Sequence, residues 1–215
     1  MDEVIVINKP VGPSSHDMVN RVRRMAGTRR VGHAGTLDPL ASGVLVVGIG
    51  KGTKQLKEVT ESEKEYMTAV KLGVTSSTDD EEGEKKESGK KAVDRGQIEK
   101  RLSQFIGTIR QVPPIYSAIK VRGQVAYKVA RAGKIMVMPP RIVEIKSIEI
   151  INFEWPILEL KIICGSGVYI RSLARDIGEA LGVGGYMKSL IRTRVGKYTL
   201  DQAIVLPETG MKKPD

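Results

Sequence analysis

Short stretches in which apolar positions alternate with polar ones, or run together, predict β-strands along much of the chain. Residues 64–72 place alternate side chains from Tyr66 to Leu72 on one face. Residues 44–49 form a continuous, mostly β-branched apolar run, which is typical of a buried strand. The same patterns predict strands at 4–7, 44–49, 64–72, 141–151 and 157–164, and a last strand pair within 189–200.

Helical periodicity and capping residues predict the helices between these strands. After the N-cap candidates Ser14 and Ser15, apolar residues recur at helical spacing from Met18 to Met25, and Gly27 ends the helix. Further helices are predicted at 53–60, 94–105, 124–132 and in the segment that ends at Gly182, whereas 75–91 is predicted to be an exposed loop. Helices mixed with adjacent hairpins indicate an α+β fold with a mainly antiparallel sheet.

One segment, Gly32 to Gly43, reads Gly-His-Ala-Gly-Thr-Leu-Asp-Pro-Leu-Ala-Ser-Gly and contains a single acid, Asp38. Its glycines free the backbone, and Pro39 biases Asp38 toward extended conformations, so a shaped loop is predicted here. The strand 44–49 follows at once and would anchor the loop on the core, as a catalytic group requires. The alternative is that Asp38 and Pro39 only begin a turn.

The charge of the chain is strongly positive, with 35 Lys and Arg against 25 Asp and Glu, a net charge of +10. Residues 111–143 contain no acid, while acids concentrate in 79–87. This separation indicates a surface that binds a polyanion such as a nucleic acid, although a basic surface that only aids solubility stays open. The basic residues of the acid-free segment are Lys120, Arg122, Lys128, Arg131, Lys134 and Arg141.

Several classes of protein are disfavoured by composition. Two histidines and one cysteine, Cys164, give no obvious metal site, and a lone cysteine excludes an internal disulfide. No apolar run reaches the about 18 residues that a membrane span needs. Acids near the start argue against a signal peptide, so we expect a cytoplasmic protein.

Two motifs resemble those of a known family. Residues 33–41, His-Ala-Gly-Thr-Leu-Asp-Pro-Leu-Ala, resemble the signature of the TruB family of tRNA pseudouridine synthases. Residues 167–173, Gly-Val-Tyr-Ile-Arg-Ser-Leu, resemble the second active-site segment of that family. The pair Lys9-Pro10 matches the end of its N-terminal strand, and the resemblance extends from about Ile5 to Leu206.

The resemblance implies a role for each matching residue. Asp38 would be the nucleophile, Arg171 would pair with it, and Tyr66 would stack on the uracil and relay a proton. A guanidinium suits that pairing because its pKa is too high for it to surrender its proton. His33 would fill the place in the base stack that the flipped uridine leaves. The remaining pocket walls would be Lys9, Pro10, Tyr169 and Leu190.

The reaction that the resemblance implies is the isomerisation of uridine to pseudouridine in the T loop of tRNA, at position 55. It needs no cofactor or metal, because no group is oxidised and no phosphoryl group is transferred. The implied fold is the pseudouridine synthase fold, a mixed, mainly antiparallel central sheet flanked by helices, with a thumb-like arm at about 111–138. We expect a catalytic domain over 1–206, a flexible tail over 207–215 and no PUA domain. We also expect a monomer that binds the T stem-loop and needs neither a membrane nor a protein partner.

Two alternatives stay open. Archaeal and eukaryotic relatives work with guide RNAs, but the Pro-Leu-Ala-Ser-Gly after Asp38 resembles the bacterial stand-alone branch instead. An RNA-binding module without catalysis would explain the positive charge. It would not explain an otherwise uncharged, glycine-shaped loop that presents one carboxylate.

Overall fold

The computed structural model describes residues 2–121, 123–134 and 136–207. Its strands are β1 (Glu3–Lys9), β2 (Val31–Ala34), β3 (Ala41–Ile49), β4 (Lys64–Leu72), β5 (Val74–Ser76), β6 (Lys85–Glu87), β7 (Gly107–Gln111), β8 (Lys120–Val121), β9 (Gln124–Val125), β10 (Arg141–Glu154), β11 (Ile157–Cys164), β12 (Gly185–Val195) and β13 (Tyr198–Thr199). Its helices are α1 (Ser15–Ala26), α2 (Leu56–Glu61), α3 (Arg95–Leu102), α4 (Ala126–Arg131) and α5 (Ile170–Ala180), with 3₁₀ turns at Gly50–Gln55, Ser103–Phe105 and Leu200–Gln202.

The chain divides into two compact units. The first unit contains the residues up to Tyr66 and those from Ile191 on, and the second contains Met67–Leu190. The mixed, mainly antiparallel strands and flanking helices confirm the predicted α+β class. Of the helices in the described part of the chain, none is both long and apolar enough to cross a membrane.

In the first unit, β3 is the central strand. It pairs antiparallel with β1, from Glu3 opposite Ile49 to Lys9 opposite Gly43, and with β2. Alternate residues of β3 enter two separate hydrophobic clusters, Leu45 and Val47 on one side and Val44 and Val46 on the other. The continuous apolar run therefore marks a strand buried on both faces, as predicted.

Helix α1 covers one face of this sheet. Ser14 caps it in a reciprocal pair of hydrogen bonds with Asp17, and Gly27 ends it with a φ of +62°. Met18, Val19 and Val22 lie in the core as predicted. Met25 continues the same apolar series, but this residue is 57% exposed, so the end of the series does not reach the core.

The extent of the predicted loop 32–43 was wrong. Residues 32–34 belong to strand β2 and residues 41–43 belong to strand β3, so only Gly35–Leu40 lie outside the sheet. The reason is long-range backbone pairing, since His33 lies opposite Val47 in the β2–β3 ladder. The acid at position 38 is thus held on a six-residue connection between two strands of the same sheet.

In the second unit, β10 and β11 form the predicted hairpin, and β7 pairs with β10 from Arg141 opposite Gln111 to Ile145 opposite Gly107. Asp94 caps α3 as predicted, but Ile106 beyond it is 47% exposed and lies outside the helix. Cys164 is buried at the end of β11, as expected for a small core residue.

Two connections of the second unit differ from the prediction. The segment 75–91 is not only a loop, because β5 and β6 pair within it, Val74 opposite Glu87. The helix predicted at 124–132 begins later, since Gln124 and Val125 pair with β8 before α4 starts. Arg122 and residues 208–215, which include most of the predicted tail, lie outside the described residues.

Candidate active site

The loop that carries Asp38 is fixed by hydrogen bonds along most of its length. The buried Ser15 hydroxyl accepts from the Leu37 N–H at 2.8 Å and donates to the Leu37 carbonyl at 2.9 Å. The Asp38 carbonyl accepts from the Ala41 N–H at 3.0 Å, and the Pro39 carbonyl from the Gly12 N–H at 2.9 Å. The backbone on either side of the half-buried Asp38 is therefore held in place before any ligand binds.

Lys9 lies beside this loop at the end of β1 and is fully buried. Its Nζ donates to the Pro10 carbonyl at 2.8 Å and to the Pro39 carbonyl at 3.3 Å. Burial lowers the pKa of Lys9 to about 8, against an opposing effect of the Asp38 charge, which favours the ammonium. Lys9 is thus a core residue near Asp38 rather than a surface lysine. Pro10, by contrast, is exposed.

His33 lies on β2, half-buried, five residues before Asp38. Its pKa is lowered from the ordinary value, first by burial and then by the charges of Arg192 and His16. The ring is therefore uncharged at neutral pH, so it can stack on a base without bringing a charge into the stack. Tyr66, on β4, is 8% exposed and follows the inward alternation predicted for that strand.

Arg192, on β12, approaches the same loop, and the sequence analysis missed this. A basic residue in a predicted terminal strand suggests an exposed cation, but Arg192 is buried, with 1% of the residue exposed. Its Nε donates to the Val44 carbonyl at 2.8 Å and its Nη2 to the Gly35 carbonyl at 2.9 Å. The sequence contains one indication of this burial. Arg192 follows Leu190 by two residues in a predicted strand, and residues two apart in a strand lie on the same face.

In the second unit, Arg171 is the second residue of α5 and is 5% exposed. Its Nη1 lies 3.4 Å from the Asp80 Oδ2, and its Nη2 donates to the Tyr116 carbonyl at 2.9 Å. Arg171 is therefore buried in the fold, although it lies at the start of a helix. The predicted pairing of Arg171 with Asp38 stays a prediction.

The acidic run 79–82 was predicted to be solvated, and this was wrong for Asp80, which is 3% exposed. Besides Arg171, Asp80 accepts hydrogen bonds from the Thr78 hydroxyl and from the Glu82 N–H. Arg175 adds a second ion pair, 2.8 Å from the Asp79 carboxylate. Positions 171 and 175 share one helix face, and together they bind two consecutive aspartates.

The other predicted wall residues also lie in the second unit. The Tyr169 backbone is held at both its N–H and its carbonyl by the side chain of Gln111, at 2.8 and 3.1 Å, and its ring packs beside the small cluster formed by Ile119, Ala126 and Met138. Leu190, on β12, is 8% exposed. These two side chains are held by the fold, as pocket walls need to be.

Of the basic residues predicted to bind RNA, those of the acid-free segment that the structure describes are exposed: Lys120, Lys128, Arg131, Lys134 and Arg141. On α1, Arg24 is exposed, whereas Arg23 donates to the Val31 carbonyl. Arg194 is bound to Glu63 rather than free for phosphate. Within the described residues, no group of three His, Cys, Asp or Glu side chains could hold a metal ion.

Comparison with known proteins agrees with the motifs. The model of the TruB family pseudouridylate synthase N-terminal domain matches residues 23–170, and that of the tRNA pseudouridylate synthase B C-terminal domain matches residues 171–208. The tRNA pseudouridine synthase B of Thermobifida fusca is 47% identical over 216 aligned residues, which cover 96% of this chain and 74% of that protein. The tRNA pseudouridine synthase B of Mycobacterium tuberculosis (strain ATCC 25618 / H37Rv) is 47% identical over 205 residues, covering 93% of this chain and 69% of that protein.

Solved structures show the same fold. A chain of a Cbf5-Nop10-Gar1 complex is 31% identical, with a TM-score of 0.75, and the match covers 94% of this chain and 52% of that one. A chain of an H/ACA RNP bound to a substrate RNA containing 2′-deoxyuridine is 28% identical, with a TM-score of 0.70, and the match covers 94% of this chain and 50% of that one. This chain thus spans about half the length of those solved chains. By family models, sequence identity and fold together, the chain belongs to the TruB family of pseudouridylate synthases.

Proposed function

We propose that the chain isomerises uridine to pseudouridine at position 55 in the T loop of tRNA, with Asp38 as the nucleophile. Membership of the TruB family makes it a tRNA-modifying isomerase. The observation that carries the role of Asp38 is its placement, on a loop whose backbone is fixed at Leu37, Asp38 and Pro39 while a buried lysine lies alongside. A catalytic carboxylate gains most from such preorganisation.

The reaction needs the target base outside the RNA stack, because a base within a folded loop is inaccessible to a side chain. The enzyme would flip the uridine, and the uncharged His33 would take its place in the stack. The exposed lysines and arginines of residues 120–141 would bind backbone phosphates of the stem-loop.

The chemistry would then proceed without change of oxidation state. Asp38 attacks either the ribose C1′ or the uracil ring, the N1–C1′ bond breaks, the uracil turns, and C5 joins C1′. A proton leaves C5 and one is added at N1, so the product is an isomer of the substrate and no cofactor is consumed. Tyr66 would relay a proton, Arg171 would orient Asp38, and Lys9, Pro10, Tyr169 and Leu190 would line the pocket.

The relatives support the stand-alone branch over the guide-RNA branch. The tRNA pseudouridine synthases B are 45–47% identical to the chain, against 31% for the chain of the Cbf5-Nop10-Gar1 complex and 28% for the chain of the H/ACA RNP. A monomer without a protein partner, a cytoplasmic location, the thumb-like arm at 111–138 and the domain limits stay predictions.

The test is pseudouridine mapping of an unmodified tRNA transcript after incubation with the purified chain and no added cofactor. We expect one new pseudouridine, in the T loop, and its loss when that uridine is replaced by cytidine. Asp38→Asn and Asp38→Ala should bind the RNA as the parent does, while turnover falls by about 10⁴-fold or more. Asp201→Asn, an exposed acid outside the loop, is the matched control and should retain the parent rate.

Turnover of the Asp38 variants within tenfold of the parent would refute the nucleophile. If the parent binds the RNA but forms no pseudouridine under conditions in which a known synthase does, the alternative of an RNA-binding module without catalysis would be favoured.

A further inference from the structure

Arg192 is among the largest fully buried side chains that the structure describes, and it lies outside the residues assigned by resemblance. We propose that Arg192 is a positioning residue for the nucleophile: its guanidinium bridges the Gly35 and Val44 carbonyls, one on each side of Asp38 along the chain, and so fixes where the Asp38 carboxylate lies. This inference rests on the proposed function and adds a residue to its machinery.

The first support is the choice of acceptors. The Gly35 carbonyl lies three residues before Asp38 and the Val44 carbonyl six residues after it, and one guanidinium binds both, at 2.9 and 2.8 Å. Arginine suits this bridge because its N–H groups form a rigid planar fork. A flexible ammonium or an apolar side chain cannot hold two carbonyls at fixed separation.

The second support is the close fit around the bridge. Gly43, with a φ of +102°, lies so close to β12 that an added Cβ would be 2.2 Å from the Arg192 carbonyl oxygen. An added Cβ at Gly35, where φ is +74°, would be 3.4 Å from the Arg192 Nη1. The approach at Gly43 fixes the backbone of Arg192 against β3, and the left-handed backbone at Gly35 favours glycine where the guanidinium lies in van der Waals contact with the connection.

The third support is electrostatic. The Arg192 charge lowers the pKa of Lys9 and that of His33, second only to burial for His33. Lys9 in turn binds the Pro39 carbonyl, next to Asp38. Burying a guanidinium is costly compared with an apolar side chain of similar size. The cost is consistent with a role in placing Asp38 rather than in stability.

The expected effect is on the chemical step. A nucleophile displaced by about 1 Å loses about 10²-fold in rate, whereas binding of the RNA elsewhere is unaffected. Arg192→Met should therefore lower the single-turnover rate constant by about 100-fold and change the RNA dissociation constant by less than about threefold. Arg192→Lys, which keeps the charge but reaches one carbonyl at most, should lie between Arg192→Met and the parent.

The experiment compares both variants with Arg194→Met, a matched control two residues along the same strand whose guanidinium binds Glu63 and Gly196 instead. Single-turnover rates at saturating enzyme, filter-binding affinities and melting temperatures are measured for all four chains. Histidine NMR titration provides a readout of the geometry, because the chain has only two histidines. The pKa of His33 should rise in Arg192→Met and stay unchanged in Arg194→Met.

Each outcome decides the matter. A slow chemical step with parent-like affinity and a raised His33 pKa supports the positioning role. A single-turnover rate constant of Arg192→Met within threefold of that of Arg194→Met overturns the positioning role. The role is also overturned if the rate lost by both Arg192 variants is no more than their unfolded fraction explains. A parent chain that forms no pseudouridine, while His33 still responds to Arg192→Met, overturns the proposed function but leaves the geometry around Asp38 established.

Discussion

The burial of Lys9 beside the Asp38 loop predicts a specific pH dependence of stability. An ordinary lysine has a pKa near 10.5, whereas burial lowers the pKa of Lys9 in the folded chain to about 8. Between these values the unfolded chain holds a proton on Lys9 that the folded chain has released. Because the unfolded state then binds more protons, the free energy of unfolding rises with pH across this window. The full rise corresponds to about 3 kcal/mol.

The sign follows from the cost of burial. Below pH 8 the folded protein carries a buried ammonium and bears the whole penalty. Above the ordinary lysine pKa, neither state is protonated and the penalty is gone. Lys9→Met removes the titration, so the parent should gain stability relative to this variant by about 3 kcal/mol from pH 7 to pH 10.5.

The assay is urea denaturation of the parent and of Lys9→Met at intervals between pH 7 and pH 11. The lost hydrogen bonds to Pro10 and Pro39 lower the stability of the variant at every pH and cancel when only the slope is compared. Burial also raises the pKa of Tyr186 to about 12, which destabilises the folded state at high pH, but equally in both chains. Lys57→Met, at an exposed position of α2, is the control and should follow the parent at every pH.

A difference between parent and Lys9→Met that stays constant to within about 1 kcal/mol across the window would refute this reasoning. It would mean that Lys9 is hydrated in solution, and the arrangement of Lys9 against the Pro39 carbonyl would be wrong.

Two further predictions concern the support of the same loop. Ser15→Ala leaves the buried Leu37 N–H and carbonyl without their partner, so it should lower the free energy of unfolding by about 1–3 kcal/mol in urea denaturation. The rate of pseudouridine formation should fall as well, because the loop that carries Asp38 is less firmly held. Gly43→Ala would place a methyl group 2.2 Å from the Arg192 carbonyl oxygen, so it should cost more than about 4 kcal/mol or abolish the cooperative thermal transition seen by circular dichroism. Gly27→Ala, at a similarly left-handed position with open space around it, should cost only about 1 kcal/mol, and equal losses at both glycines would contradict the close approach.

The pattern of apolar and polar residues predicted helices and strands correctly where exposure to solvent follows the same pattern along the element. The alternation of 64–72 is the alternation of burial in β4, and the apolar run 44–49 is buried because the strand has a hydrophobic cluster on each face. The cap of α1 at Ser14 and its end at Gly27 follow from backbone geometry that neighbouring residues determine. The wrong predictions concern segments whose structure depends on hydrogen bonds to a strand elsewhere in the chain. One example is the segment predicted to be a loop, in which β5 pairs with β6.

The candidate site divides in the same way. The sequence by itself determined which residues to consider, since residues 33–41 and 167–173 carry the motifs that resemble a family, and family membership followed. Only the tertiary structure decided that Lys9 is buried, that Arg171 binds Asp80 and that Arg192 spans Gly35 and Val44. The partners of Arg192 lie 148 and 157 residues away along the chain. Periodicity reports which side of an element faces the core, but the partner of a buried charge depends on which distant segment the fold brings to it.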